Sequence, residues 1–286
     1  MKAFENSDII FQRGVSNAPF IPIGFLGARA YSESTFETPA GESVTSTQQG
    51  GSAMGVVPFL LTDSDALFTG VYASTNRFDT DSSEIGDFRV SSIGLPLALF
   101  RQVNPQWQAA AFVMPFAHYS DLENAEWSLQ TMGGAFARYT QNERLWWAFG
   151  LFADHSDADS YVLPYLGASW VVNPRWTISA IMPWPSVMYA PSTDWLFSFG
   201  ASPSGASWSL GQNQGDVAVN LDSWDLGFTV ERRLTQNLWI SARTGIGGLR
   251  NLRFDTDDNE LGETQVSFDS NGFISISLRL RPGAGR

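Results

Sequence analysis

One local pattern recurs along this chain and limits what it can fold into: a run of alternating apolar and polar residues, a tight Asn-containing turn, then an aromatic residue opening the next run. The turns Asn104-Pro105-Gln106-Trp107, Asn142-Glu143-Arg144-Leu145-Trp146, Asn173-Pro174-Arg175-Trp176 and Asn237-Leu238-Trp239 carry it. Ser192-Thr193-Asp194-Trp195 is a variant. Strands joined by short turns at one end, with Trp at the start of the next strand, predict an antiparallel barrel with an aromatic girdle at a membrane interface. On this reading the girdle consists of Trp107, Trp146, Trp176, Trp195 and Trp239.

The alternation is cleanest near the C-terminus. Ile274, Ile276, Leu278 and Leu280 share one face, and Phe273, Ser275, Ser277, Arg279 and Arg281 share the other. Residues 224–231 repeat it, with Trp224, Leu226, Phe228 and Val230 opposed to Asp225, Gly227, Thr229 and Glu231. Leu145, Trp147, Phe149 and Leu151 form a third such set, and Ile93, Leu95, Leu97 and Leu99 a fourth. A strand sends successive side chains to opposite faces, so each set lies on one side of a sheet. The apolar faces are assigned to lipid and the polar faces to a lumen.

Fourteen strand candidates follow from this patterning, at 20–36, 53–62, 65–77, 87–101, 107–119, 126–140, 144–155, 160–172, 176–183, 186–191, 195–211, 222–233, 238–253 and 271–282. The expected fold is all-β: a closed antiparallel up-and-down transmembrane barrel of about 12–14 strands, with short periplasmic turns and longer acidic outer loops. Twelve applies if the segment around Pro183 and Pro185 stays out of the wall, because proline cannot donate to a ladder. Longer loops are expected at 37–52, 78–86, 120–126, 155–160, 212–222 and 254–270. Residues 1–18 read as an irregular N-terminal extension, and 19–286 as a single barrel domain.

Composition agrees with strands of two unlike faces. Only 16% of residues are charged while 14% are aromatic, and mean hydropathy is −0.10. The longest apolar runs, 93–100 and 109–117, fall far below the ~20 residues a helix needs to cross a bilayer. A membrane reading therefore requires a closed barrel, the other structure that satisfies every backbone group in lipid. The net charge of −12 argues against nucleic-acid binding. The absence of cysteine excludes disulfides, thiolate metal sites and cysteine nucleophiles. The first 20 residues lack the apolar core of about 7–15 residues found in an export signal. The expected location is the bacterial outer membrane, with the signal already removed.

From residue 160 to 282 the chain resembles a bacterial outer-membrane β-barrel family known only as a domain of unknown function. The resemblance rests on Asn173-Pro174-Arg175-Trp176, on the segment 182–189 with Pro191-Ser192-Thr193-Asp194-Trp195, and on the small-residue stretch 200–208. It continues through 223–232 and the last strand, 272–280. It implies an outer-membrane barrel and no assigned activity. Many barrels end on an aromatic residue that the assembly machinery reads, whereas this chain ends Arg281-Pro282-Gly283-Ala284-Gly285-Arg286.

Few residues point to chemistry. Asp154-His155-Ser156 groups an acid, a base and a hydroxyl. However, neighbours on a hairpin tip rarely orient one another for nucleophilic catalysis, and no G-x-S-x-G elbow occurs. His118 and His155 without a fixed carboxylate make a poor zinc site. Asp255, Asp257 and Asp258 begin like a calcium loop, but the sixth position is Glu260 and the twelfth Val266, so the motif fails and only loose divalent-ion binding is left. No catalytic residue, metal site or cofactor is expected.

The inward-facing residues are more informative. Arg29, Arg89, Arg138, Arg243, Arg279 and Arg281, with Glu231 and Asp225, are expected to line the lumen, where charged rings select ions or brace the wall. Trp184, held between Pro183 and Pro185, is a candidate constriction. The expected function is a passive pore or transporter for small solutes, with outer-membrane lipid as surroundings. The alternatives are a barrel scaffold without transport, a soluble lipocalin-like binding barrel, and a membrane hydrolase.

Overall fold

The Asn turns close by a common device. The side-chain oxygen of Asn104 accepts from the backbone N–H groups of Gln106 and Trp107, both at 2.9 Å. Asn142 does the same for Arg144 and Leu145, and Asn173 for Arg175 and Trp176. Each Asn thus satisfies two N–H groups that the turn would otherwise leave unpaired. In the last turn the acceptor is Thr235, whose hydroxyl oxygen receives the N–H of Leu238 at 3.2 Å, and not Asn237.

The computed structural model describes residues 7–10, 14–37, 43–81, 86–121, 127–156, 160–203, 206–212, 215–222, 224–247, 251–256, 264–267 and 271–282, with backbone only for the strands within 203–224 and 248–270. All regular structure among them is β. The first strands are β1 (Gly24–Glu37), β2 (Ser43–Leu60), β3 (Asp65–Thr80), β4 (Phe88–Gly94), β5 (Leu97–Gln102), β6 (Trp107–Ser120) and β7 (Ser128–Asn142). Next come β8 (Leu145–Ser156), β9 (Ser160–Asn173), β10 (Trp176–Met182), β11 (Ser186–Ser192) and β12 (Trp195–Pro203). The rest are β13 (Ala206–Gln212), β14 (Gly215–Asp222), β15 (Trp224–Arg233), β16 (Leu238–Gly247), β17 (Asn251–Thr256), β18 (Thr264–Ser267) and β19 (Asn271–Leu280).

Antiparallel pairing closes the wall. β1 pairs with β2 on one side and β19 on the other, and the ring runs on through β16, β15, β12 and then β11 back to β6. β4 and β5 both lie between β3 and β6, as two halves of one stave interrupted at Leu95-Pro96. The result is a closed barrel of 14 staves, the upper end of the expected range. Both strands flanking Pro183 and Pro185 belong to the wall.

Three expected loops contain strands. β2 begins at Ser43, inside the stretch expected as loop 37–52, because pairing with β1 and β3 satisfies a polar sequence that has no apolar alternation. β14 lies in 212–222, and β17 and β18 fall within or overlap 254–270. With β13 they form a separate four-stranded sheet at the long-loop end. β13 leaves the wall beside β12 yet comes close to β6 and β7, across the ring.

Exposure follows the alternation. In β15, Asp225 and Glu231 are 3% and 2% exposed, whereas Leu226 and Phe228 are 41% and 43% exposed. Ile274, Ile276, Leu278 and Leu280 likewise stand outward, as do Ile93, Leu95, Leu97, Leu99 and Leu151. These residues form the apolar outer band that a lipid-facing wall requires.

Replacing Asn104 with Ala should cost about 1 kcal/mol, since it removes the acceptor for two turn N–H groups. Asn237→Ala should change stability by less than about 0.5 kcal/mol. Chemical-unfolding midpoints in detergent micelles test the contrast.

Candidate functional lumen

Fourteen staves about 4.8 Å apart and tilted by about 40° give a backbone diameter of about 28 Å. Inward side chains on opposite walls do not meet across that width. The lumen is therefore lined by separate patches rather than filled as a core.

One patch is charged. On β15, β16, β19 and β1 the inward positions carry Glu231, Asp225, Arg243, Arg279 and Arg29, and Arg281 follows β19. Glu231 is held by both Arg279 and Arg281, each at 2.6 Å. Arg281 also donates to the Phe20 carbonyl and lies over the Trp239 ring. Further along the strands, Tyr31 donates to Asp225 at 2.8 Å. Arg243 donates to the Ser202 hydroxyl and the Asp225 carbonyl, and Arg29 lies over the Tyr31 ring. Among the described residues four arginines here face two carboxylates, and Arg243 lies beside Asp225.

The second patch is aromatic. Its centre, on β8, is seven staves from β19 in either direction, so it stands opposite the charged wall. Phe112 stacks on Phe136 at 5.8 Å, and Phe136 meets Tyr165 edge-on at 4.8 Å. Phe152 lies 6.2 Å from Phe112. Trp184 adds its ring 5.9 Å from Phe152 and 5.5 Å from Tyr165. Two glycines let the rings lie along the wall: a Cβ at Gly150 would come within 2.7 Å of the Phe136 ring, and one at Gly94 within 2.8 Å of Phe116. Beside this patch runs a polar row in which His118 bonds to Ser92 and Gln130, and Gln130 donates to Asp154.

Residues 8–10 and 17–23 lie along the short-turn end and bond to staves that follow one another round the ring. The Asp8 N–H bonds to the Asp63 carbonyl between β2 and β3. Ile10 is tied to Gln102 on β5, Gln108 on β6 and Arg138 on β7. Asn17 bonds to the Pro174 carbonyl between β9 and β10, and its side chain donates to the Ala190 carbonyl on β11. The Phe20 carbonyl meets Arg281, and Ile23 reaches Leu280, at the far side of the ring.

One expected lumen residue stands elsewhere. Arg89 is exposed on the outer face, opposite Arg77 in the ladder. It shares the parity of Ile93, four residues on, which faces lipid. Arg138 points inward at the short-turn end, its guanidinium 3.7 Å from the Trp146 ring centre.

The five Trp residues expected in the girdle divide by turn phase. Trp107, Trp176 and Trp195 follow their turn acceptor by three residues and lie on the outer face. Trp146 follows Asn142 by four, and Trp239 follows Thr235 by four, which rotates both to the inner face. Trp147 takes the outer position beside Trp146, its indole N–H donating to Gln141.

Asp154, His155 and Ser156 alternate faces, and His155 bonds outward to Ser160, so no triad forms. The same alternation separates inward His118 from outward His155. Among the described residues no cluster of potential metal ligands occurs. Asp257 and Asp258 lie outside the described residues, as does the side chain of Asp255. The inward aromatic patch escaped the sequence reading because Phe112 and Phe136 sit in strands with small or apolar residues on both faces, which hides the phase.

Glu231→Gln should destabilise the barrel by about 3 kcal/mol, because Arg281 then stays buried without its counter-charge. Adding Arg279→Gln should recover part of the loss. Guanidinium unfolding of the refolded protein reads both variants.

A family model described as "Domain of unknown function (DUF6268)" matches residues 64–281. No curated protein sequence matches the chain. Among solved structures, a deltaS2 mutant of the TodX monoaromatic hydrocarbon channel is 11% identical, with 91% of this chain and 90% of that one covered and a TM-score of 0.49. An outer membrane channel from Pseudomonas putida F1 is 13% identical, with coverage of 92% and 97% and a TM-score of 0.47. A Pseudomonas aeruginosa FadL homologue is 11% identical, with coverage of 98% and 97% and a TM-score of 0.45. At these values nothing about transport passes from them to this chain.

Proposed function

We propose that this chain, which belongs to the family described as "Domain of unknown function (DUF6268)", is an outer-membrane channel for small solutes. The observation that carries this reading is the lumen itself. A 14-stave wall is too wide to be filled by its own side chains, and its interior presents an arginine-rich wall opposite an aromatic one. A barrel serving only as a scaffold needs no such division. Solutes pass between the two walls without chemical change, and no residue in the lumen is assigned a catalytic role.

Arg29 and Arg243 give the passage its charge preference, since fixed charges lining a pore favour counter-ions. In planar bilayers the purified protein should show discrete conductance steps, with a reversal potential in a potassium chloride gradient that indicates anion preference. Arg29→Gln and Arg243→Gln together should shift that potential towards zero. Silence across all voltages, in the full chain and in a chain lacking residues 1–18, removes the channel reading.

The segment held along the short-turn end narrows the passage. Its anchors are hydrogen bonds to Gln102, Gln108 and Arg138 rather than a ladder. Deleting residues 1–18 should raise single-channel conductance at least twofold and leave the barrel folded, as judged by heat-dependent migration on gels. Unchanged conductance assigns the segment a bracing role only.

A further inference from the structure

The charged wall holds more positive charge than it neutralises. Among the described residues its four arginines meet two carboxylates, an excess of two charges. Glu231 is taken up by Arg279 and Arg281. Asp225 accepts the Tyr31 hydroxyl through one carboxylate oxygen. Arg243 bonds to two neutral acceptors, the Ser202 hydroxyl and the Asp225 carbonyl. Arg29 has no ion pair and no hydrogen bond among the described residues, although a guanidinium offers several N–H donors.

These two arginines are brought together by the register. Arg29 on β1 and Arg243 on β16 are the ladder partners of Ser275, one on each side of it, and all three face the lumen. Their guanidiniums rest on neighbouring rings. Arg29 lies 5.8 Å from the centre of the Tyr31 ring and Arg243 5.2 Å from that of Phe273, and the two rings are 5.6 Å apart. Such contacts hold the direction of a guanidinium. Glycines leave room beside both: Gly50 is the β2 partner of Arg29, and a Cβ at Gly227 would come within 2.8 Å of the Arg243 Nε.

Arg29 and Arg279 both lie near enough to Arg243 for their charges to repel it. Like charges gathered on one wall raise one another's energy, and an anion among them reverses the sign of that interaction. The shape of the site selects the anion. A guanidinium can hold two oxygens of a phosphate at once, and a tetrahedral group has oxygens enough for two arginines and a hydroxyl. A carboxylate offers two oxygens and a single charge. A phosphate monoester carries nearly two charges at neutral pH, which matches the excess on the wall.

We infer that Arg29, Arg243 and Ser275 form a saturable binding site for a doubly charged tetrahedral oxyanion, the phosphate group of a small solute. The phosphate lies between the two guanidiniums and accepts the Ser275 hydroxyl, and no bond is made or broken. Arg279 adds positive charge from the short-turn side. Asp225, on the long-loop side, opposes it and limits the affinity, so that a solute which enters can also leave. The inference deepens the channel reading and rests on it for the purpose of the site, which is to hold a phosphorylated solute on its way through the lumen.

Calorimetric titration of the full-length protein in detergent micelles with inorganic phosphate, at low chloride, reads the site without requiring conductance. One phosphate should bind per barrel, and acetate should bind about tenfold more weakly. Arg29→Gln and Arg243→Gln should each weaken phosphate binding about tenfold, and Ser275→Ala about threefold. Arg101→Gln, on the outer face and paired with Asp65, should leave it unchanged. Heat-dependent migration on gels reports whether each variant is folded. If Arg243→Gln is not, Arg29→Gln decides, because Arg29 braces the wall through no hydrogen bond among the described residues. Absence of phosphate binding overturns the site, as does acetate bound equally tightly or phosphate binding that survives Arg29→Gln. Phosphate binding by a protein that is silent in bilayers keeps the site and removes the channel. Anion-selective conductance without phosphate binding keeps the channel and removes the site.

Discussion

A strand inside a bilayer must find a protein partner for each backbone N–H and C=O, because hydrocarbon offers none and an unpaired group costs several kcal/mol. The pairing of β1 with β19 meets that demand by joining the two ends of the wall, from Gly24 opposite Leu280 to Tyr31 opposite Phe273. Everything else depends on this closure. It makes an inside and an outside, it allows side-chain alternation to separate lipid from lumen, and it brings Arg29 and Arg243 to either side of Ser275 although more than 200 residues separate the two in sequence.

Within the closed wall, the phase of each strand decides where a side chain goes, and the turns set the phase. An acceptor three residues before a Trp leaves the ring on the lipid face; four residues brings it inside. Trp146 and Trp239 consequently join arginines in the lumen, near the short-turn end, where Arg138 and Arg281 lie over their rings. The interior then divides into two chemistries. A buried carboxylate shared by two arginines braces one wall, and rings laid over glycines surface the other. Their separation across the diameter lets one lumen offer distinct surfaces to ions and to apolar molecules.

Strand length carries information that strand phase does not. Most hairpins of this barrel exceed what the apolar band requires, and the excess continues beyond it. The β10–β11 hairpin falls short, and the prolines are gathered around it. Pro164, Pro183 and Pro185 read along the chain are three isolated breaks. In the barrel they stand near one another, because β9 and the β10–β11 turn are neighbours only once the register is known.

Alternation at 224–231 and 273–281 was sufficient to fix both faces of β15 and β19, since a period of two leaves no other arrangement in a sheet. The fourteen strand candidates likewise correspond to the fourteen staves, with β4 and β5 as one. The lipid-facing parity of Arg89 was also readable, from Ile93 four residues on. Other features required the tertiary structure. The polar first half of β2 carries no apolar signal, because it is held by pairing with β1 and β3. The pairing of β14 with β17 joins two distant hairpins. The opposition of arginines and aromatics, the contacts of residues 8–10 and 17–23 along the mouth, and the short β10–β11 hairpin all depend on which strands stand across from or beside one another. Local periodicity is a property of each segment and is written in its residues; adjacency around a closed ring is a property of the whole hydrogen-bond circuit and exists only when the last strand meets the first.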